Sequence, residues 1–482
     1  MIKEFKKIVC FGVLVLFFAP IFANAEEIVP EKFNIDPTYN QNGNQQYQTS
    51  ALLRNSFNRL DFYIEESFLN GKSWTEKNEI NNIFFNLNAE FEGKIYPQLT
   101  SIFGKEKNTT GKEIQRITIL FYPMKEDVRG YIRNIDAYDK GINSSSNQRR
   151  IIYLNSSYIN NPILTEILAH EFTHLIELNQ KEIQKGIPED VWLNEARAEY
   201  AVTLLGYNNK DDSYLDKRVK DFLNKPTDPL IEWSGTNYDY GVVSMFVHYM
   251  VEQYGIDILK DTLASSKIGI ESIDEFLKNK GHKETFADIY TNWSIATYLN
   301  DCSVDGKYCY SNQKLKDVKV LPLSTFMPFQ KDSTVSMNQL IRDWSSNWQK
   351  FVGGNGNLKL QIKSPEDCVF KVSYIVKGES EKSVVKKLDF KEAETKEVVV
   401  SNLNNSSQIV FIFSITGTSL QSANPFFVYN TIASSTGDNP TESEINLPFA
   451  IEKPLNQMSR EELLIVLLKV IVYLISQGRF NV

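Results

Sequence analysis

Residues 167–180 read ILAHEFTHLIELNQ. Two of only four histidines in 482 residues, His170 and His174, stand four apart here, with Glu171 beside the first. On a helix, positions i and i+4 share a face, so both imidazoles can reach one ion. Glu171 is turned by about 100° from His170, beside such an ion rather than beneath it. A general base must stand there to take a proton from metal-activated water. The competing reading is a core helix that merely carries histidines. With 4 histidines in 482 residues, chance places an H-E-x-x-H pattern in on the order of 0.2% of such chains.

A catalytic zinc needs three protein ligands and an open position. The third ligand should come from a separate element that returns past the first helix. VWLNEARAEYAV (191–202) supplies Glu195, with 20 residues between it and His174. That is enough for one helix to end, a loop to turn at Gly186 and Pro188, and a second helix to begin. Glu199, one helical turn further on, points the same way and can hydrogen-bond a ligand histidine from behind.

The pairing of HEFTHL (170–175) with WLNEARAEY (192–200) resembles the gluzincins, zincin peptidases whose third ligand is glutamate. Within them it is similar to the peptidase MA-like and hyicolysin-like secreted enzymes, whose pattern continues W-L-x-E-G-x-A-E-Y. SSNQRRIIYLNSS (145–157) and FADIYTNWSIATYLND (286–301) resemble flanking stretches of the same enzymes, so the resemblance covers roughly residues 90–310. Ala196 stands where glycine is usual, which leaves the ligand in place. The metzincin pattern would need Gly at 177 and His at 180, and these are Glu177 and Gln180.

The resemblance implies a zincin fold, a Zn2+ cofactor on His170, His174 and Glu195, and Glu171 as the base. It also implies a tyrosine that steadies the oxyanion. Tyr238-x-x-Gly241, leading into the helical stretch 237–255, is similar to the Y-x-x-G step of gluzincin aminopeptidases. Tyr238 is therefore the first candidate and Tyr240 the second. His248 reads as a satisfied core histidine and His282 as a surface residue. The G-x-M-E-N loop that captures a free amino terminus in those aminopeptidases is absent from the sequence, which favours internal cleavage. IIYLN (151–155) could be the strand that pairs with extended substrate, or its neighbour.

The first 25 residues read as an address. Lys3, Lys6 and Lys7 precede an apolar run from Ile8 to Phe22, and Ala23-Asn24-Ala25 forms a signal-peptidase site. The run is too short, and broken by Pro20, to span about 30 Å of hydrocarbon. Removing the segment takes the formal charge from −8 to −10, which disfavours nucleic-acid partners. An exported protein lives in an oxidising compartment, so a local disulfide between Cys302 and Cys309 is expected, with Cys368 buried on a strand.

Six segments follow: a signal peptide (1–25), a polar, disordered leader (26–51), an α+β zincin domain (52–320), an all-β sandwich (321–432), a linker (433–458) and a C-terminal helix (459–482). The spacing predicts helix from Leu52 to Phe103, strands at 116–124 and 149–157, and helices up to about residue 300. Short alternating runs from NLKLQIK (357–363) to QIVFIFSIT (408–416) predict the sandwich. The last helix opens on a Ser459/Glu462 capping box and is apolar on nearly every side. It has three readings: docked on its own chain, self-associating, or lying on a membrane or envelope partner.

Three functions remain open: a secreted zinc endopeptidase acting on proteins or peptides, an exported adhesion or binding protein on an inactive zincin scaffold, and a zinc hydrolase of non-peptide bonds. An inactive scaffold would be expected to lack a ligand or the base, and all four residues are here.

Overall fold

Apolar runs of two kinds, alternating and continuous, set up the first sheet. The computed structural model describes residues 29–476 apart from 42, 44–45, 107–115, 328–333, 354–355, 378–381, 404–407, 420–425 and 436–457. The signal peptide, most of the linker and the last six residues therefore lie outside the described residues. The chain divides into two units, Met1–Asn88 with Asn108–Asn161, and Ala89–Lys107 with Pro162–Val482.

The first unit is a six-stranded sheet in the order β1-β2-β3-β4-β6-β5. Its strands are β1 (Glu31–Asn34), β2 (Gln48–Ser56), β3 (Leu60–Glu65), β4 (Ile117–Tyr122), β5 (Gly130–Ile132) and β6 (Ile151–Asn155). The β3–β4 and β4–β6 pairs are parallel, and β5 closes one edge antiparallel to β6. Every residue of β4 and β6 is buried, as continuous apolar runs in the middle of a covered sheet should be. Between β3 and β4 come α1 (Glu66–Asn70) and α2 (Trp74–Glu90). Phe84 of α2 stacks at 4.8 Å on Phe62 and at 5.1 Å on Phe121, covering one face. Phe33, Leu120, Tyr122, Tyr131 and Tyr153 are among the residues packed on the other.

Two expectations fail in this unit. Residues 29–51, read from composition as a disordered leader, carry β1 and the start of β2. Residues 52–65, read as helical, are the rest of β2 and all of β3, joined by a turn at 57–59. Phe33 and Ile35, then Thr49 and Ala51, alternate buried with exposed or half-buried neighbours, so period two is present beneath an Asn- and Gln-rich composition. β3 alternates perfectly as Leu60, Phe62 and Ile64 inward.

In the second unit, α3 (Tyr96–Phe103) is followed by α4 (Leu164–Glu177), α5 (Val191–Leu204), α6 (Tyr214–Asn224), α7 (Asn237–Tyr254), α8 (Asp257–Ala264), α9 (Gly269–Asn279) and α10 (Phe286–Leu299). Cys302 and Cys309 are joined by a disulfide in the loop after α10. Nine strands then form two sheets: β7 (Leu323–Met327), β8 (Thr334–Arg342), β9 (Ser346–Gly353), β10 (Gly356–Lys363), β11 (Cys368–Lys377), β12 (Val384–Asp389), β13 (Thr395–Leu403), β14 (Gln408–Thr418) and β15 (Phe426–Ser435). One sheet runs β13-β10-β15-β8 and the other β12-β11-β14-β9-β7. Leu358, Leu360, Ile362, Phe370, Phe411, Phe413 and Tyr429 fill the core between them, and Cys368 is buried at its margin.

These sheets pack directly on the helices. Trp344 lies 4.8 Å from the Phe286 ring and 5.6 Å from that of Tyr290. Trp348 donates its indole N–H to Ser294 O at 2.9 Å, and Lys371 pairs with Asp288 at 3.1 Å. β15 runs on to Ser435, past the expected linker start. The last helix, α11 (Arg460–Ser476), is capped by Ser459 and Glu462. Leu464, Ile465, Leu467 and Leu468 on it are each more than half exposed. Among the described residues, no helix is long and apolar enough to cross a membrane.

Candidate metal centre

The helix α4 is apolar on most of its surface and buried almost throughout. Ile167, Leu168, Phe172 and Ile176 pack inward, and Phe172 meets the Phe91 ring at 4.9 Å. What remains is one polar stripe at helical spacing: Glu166, His170, Thr173, His174 and Glu177. Four of these are buried and His174 is half-buried, which is costly unless each finds a partner.

The partner helix is α5. Gly186, at φ 70, turns the chain back, and Ala196, Ala198 and Ala201 are fully buried small side chains that allow close helix approach. Glu195 thereby faces α4. Its Oε2 lies 3.3 Å from His170 Nε2 and 3.6 Å from His174 Nε2, while the two Nε2 atoms are 3.2 Å apart. The imidazole planes cross at 85°.

Three ligand atoms so placed could hold a metal ion. The donor set fits zinc: ligand atoms about 2.0–2.1 Å from a tetrahedral ion stand roughly 3.3–3.4 Å from one another, and the three edges here average close to that. In the protein alone, the Glu195 Oε2 atom makes no hydrogen bond although it is buried. Charge agrees with geometry. Burial would raise the Glu195 carboxyl, but His174 and His170 outweigh it and hold it well below the usual carboxylate range. Burial opposes a charge on His174, and Glu195 with Glu177 overcomes it and pushes the imidazole well upward.

Glu171 is 6% exposed and stands outside the three-ligand group. Burial raises its carboxyl above the ordinary value, His170 and His174 pull it down, and Glu195 adds to the rise. A carboxylate near two imidazoles, raised toward neutrality by its surroundings, is suited to accepting and releasing a proton.

Behind each histidine is a second carboxylate. His174 Nδ1 is 3.0 Å from Glu177 Oε2, and His170 Nδ1 is 3.7 Å from Glu199 Oε1. The spacing of Glu199 predicts this position, whereas Glu177 enters the sequence reading only as a residue that breaks the metzincin pattern. Its signal is nevertheless in the sequence, since it lies three residues past His174 on the same face.

The two tyrosine candidates separate. Tyr238 is 37% exposed at the start of α7, with Lys225 Nζ 5.4 Å over its ring. Tyr240 points inward, as two residues on a helix are about 200° apart. Its hydroxyl is pushed well above the ordinary value, first by the Glu195 carboxylate and then by burial, with Tyr214 and Glu171 contributing. Tyr240, not Tyr238, therefore shares the environment of the metal group. A Thr236/Asp239 capping box fixes the first turn of α7. Gly241 then lets α7 press against α6, where an added Cβ would lie 2.5 Å from Phe222 N.

His248 is a satisfied core residue: Nδ1 meets Ser244 O and Nε2 meets Thr203 Oγ1, both at 2.7 Å. Burial pushes it down to about 4. His282 is exposed and lies edge-on to Tyr254.

No family model matches the chain. Over 286 residues it is 24% identical to the neutral metalloprotease ShpI of Staphylococcus hyicus, a match covering 54% of this chain and 61% of that protein. The chain thus spans about three fifths of the relative it matches. Among solved structures, the periplasmic g-type lysozyme inhibitor PliG of Aeromonas hydrophila matches 24% of this chain and 98% of its own, at 10% identity and TM-score 0.15. CapF with a bound inhibitor matches 61% of this chain and 91% of its own, at 6% identity and TM-score 0.16. Those values carry no argument about fold or function. The sequence match supports a metalloprotease relationship over about half of the chain, in keeping with a buried His170–His174–Glu195 group that could hold a metal.

Proposed function

We propose that this chain is a secreted zinc-dependent endopeptidase of the gluzincin type, with His170, His174 and Glu195 as metal ligands. The carrying observation is the triangle of two Nε2 atoms and one carboxylate oxygen with edges of 3.2, 3.3 and 3.6 Å. When bound, zinc supplies Lewis acidity, polarising a peptide carbonyl and making water a nucleophile at neutral pH.

The remaining work falls to the chain's own side chains. Glu171 takes the proton from the attacking water and passes it to the leaving amine, a role that requires it to stand beside the ligands without being one. The Tyr240 phenol stays protonated and donates to the developing oxyanion. Glu177 accepts from the His174 Nδ1–H at 3.0 Å, and the Glu199 carboxylate, 3.7 Å from His170 Nδ1, favours a proton on that nitrogen electrostatically, so both Nε2 lone pairs are left for the ion. Cleavage is internal, because the free-amine capture loop of related aminopeptidases is missing. Export by residues 1–25 belongs to the same reading, with protein or peptide substrates and no nucleic acid. The apolar α11 serves contact with an envelope surface or a second copy.

The test is a digest of casein by the zinc-loaded protein and by Glu171→Gln. The variant should keep its zinc and fold and lose hydrolysis by several orders of magnitude. Near-original cleavage by Glu171→Gln would place the base elsewhere. Full zinc with no cleavage of any protein substrate by the unmutated chain would favour a binding protein on this scaffold.

A further inference from the structure

Beyond the second carboxylates lies a further layer, and it repeats. Glu199 is 1% exposed and is gripped by Arg218 of α6, itself 4% exposed. The grip is bidentate: Nε reaches Oε2 at 3.0 Å and Nη2 reaches Oε1 at 2.8 Å. Tyr214 donates its hydroxyl to the same Oε1 at 3.0 Å and accepts from Arg218 Nη2 at 2.6 Å. On the other side, Glu177 is 1% exposed and faces Arg197 of α5, which is fully buried. Arg197 Nη1 stands 3.6 Å from Glu177 Oε1. Its remaining donors are fixed by Glu189 at 3.0 Å, Thr262 Oγ1 at 3.1 Å and Leu259 O at 3.3 Å.

Two buried histidine–glutamate–arginine chains thus run away from the metal group, with the hydrogen bond at opposite links. In His170–Glu199–Arg218 it joins the carboxylate to the arginine, and in His174–Glu177–Arg197 it joins the histidine to the carboxylate while Arg197 faces Glu177 as an ion pair at 3.6 Å. A buried carboxylate without a cation is expensive, and a guanidinium fork fixes both oxygens at once. Arg218 therefore sets the orientation of the Glu199 carboxylate, including the oxygen turned toward His170. Arg197, held by Glu189, Thr262 and Leu259, instead balances the charge of Glu177 from the side of its Oε1 while Oε2 meets His174. Arg218 also braces the candidate oxyanion donor, since its Cζ lies 4.4 Å over the Tyr240 ring and 4.6 Å over that of Tyr214. Arg197 makes no such contact with a tyrosine ring among the described residues.

We propose that Arg197 and Arg218 are positioning residues, each setting the zinc affinity of one histidine without touching the ion, and that Arg218 alone also positions Tyr240. This rests on the zinc reading above. The two arginines then have separable signatures. Arg197→Met should weaken zinc binding about tenfold, the lower end of what such outer partners control, and leave kcat at saturating zinc within about twofold. Arg218→Met should weaken zinc similarly and also lower kcat at saturating zinc about tenfold or more, with KM little changed.

The experiment measures zinc dissociation constants of the full chain by competition with a chelating dye, far-ultraviolet circular dichroism of the apo forms, and kcat and KM at saturating zinc. Lysine variants keep the charge but lose the guanidinium's several fixed donors, so Arg197→Lys and Arg218→Lys should fall between the methionine variants and the unmutated chain. Where a methionine variant fails to fold, its lysine counterpart and Tyr214→Phe, which removes one donor to Glu199, decide in its place. An unmutated chain that binds no zinc overturns the zinc reading itself. An unmutated chain that binds zinc, alongside folded arginine or Tyr214 variants of unchanged affinity, overturns the positioning roles. Equal kcat losses in the Arg197 and Arg218 variants would overturn the assignment of Tyr240 to Arg218.

Discussion

Gly241→Ala adds one methyl group where the structure has least room for it. The new Cβ would lie 2.5 Å from Phe222 N, 2.9 Å from Asp221 C and 3.0 Å from Phe222 Cα. All three are backbone atoms of α6, so no side chain can rotate away. Ordinary contact begins near 3.4 Å, so α6 and α7 must part by roughly 0.5–1 Å, an overpacking cost of about 1–3 kcal/mol. Alanine gains about 0.5–1 kcal/mol over glycine within a helix, which is smaller. The variant should be destabilised by about 1–2 kcal/mol, lowering Tm by roughly 2–6 °C for a unit of this size. Function should suffer more than stability, because Arg218 is on α6 and Tyr240 precedes Gly241 on α7. A displacement near 1 Å of a positioned group can cost about 100-fold in rate, so kcat should fall roughly 10–100-fold with the fold retained. The control is Gly93→Ala, where nothing lies within 4 Å of the added Cβ; that change should be neutral or mildly stabilising. Thermal unfolding and casein hydrolysis at saturating zinc measure both. Gly241→Ala with unchanged Tm and kcat would refute the tight α6–α7 contact and the placement of Tyr240 that depends on it.

Tyr240→Phe should keep stoichiometric zinc and lose about 10²–10³-fold in kcat, the worth of one oxyanion donor, while Tyr238→Phe stays within about twofold; equal losses would contradict the inward assignment. Asp343, after β8, is pushed up to about 6 by burial despite N–H groups from Trp344 and Gly417. An acid raised above its unfolded value of about 3.9 stabilises the fold below that value and loses this as pH rises through about 6. Asp343→Asn should therefore raise Tm at about pH 7.5 and leave it unchanged at about pH 4, as unfolding scans at both values would reveal; an equal gain at both would remove ionisation as the cause. Deleting residues 459–482 should leave zinc content and hydrolysis intact, since Leu464, Leu467 and Leu468 of α11 are more than half exposed; loss of both would make α11 part of the catalytic packing.

The metal group is legible in the sequence because it depends on local periodicity. His170 and His174 share a face at any helical geometry, and Glu195 needs only a helix, a turn and a second helix. Tyr240 is less legible, because choosing between it and Tyr238 requires the register of α7 against α6, set by the Thr236/Asp239 cap and the close approach at Gly241. Arg197 and Arg218 are not legible at all: a buried guanidinium and a surface one have the same letter, and the partner is chosen by helix packing. In the first unit, the Asn- and Gln-rich composition of residues 26–51 conceals the alternation of Phe33 and Ile35 with polar neighbours. The apolar residues Leu60, Phe62 and Ile64 fit a strand better than the helix read there. The sandwich strands between 357 and 416 are legible from their alternation, whereas β15 continues into residues whose Ser, Thr and Asn content reads as linker.

The most direct test of the central claim is an anomalous-scattering measurement at the zinc edge on crystals of the zinc-loaded protein. The expected result is one strong peak about 2.0–2.2 Å from His170 Nε2, His174 Nε2 and Glu195 Oε2 together, with Glu171 outside that distance. No peak between those three atoms, or a peak with Glu171 among its ligands, would contradict it.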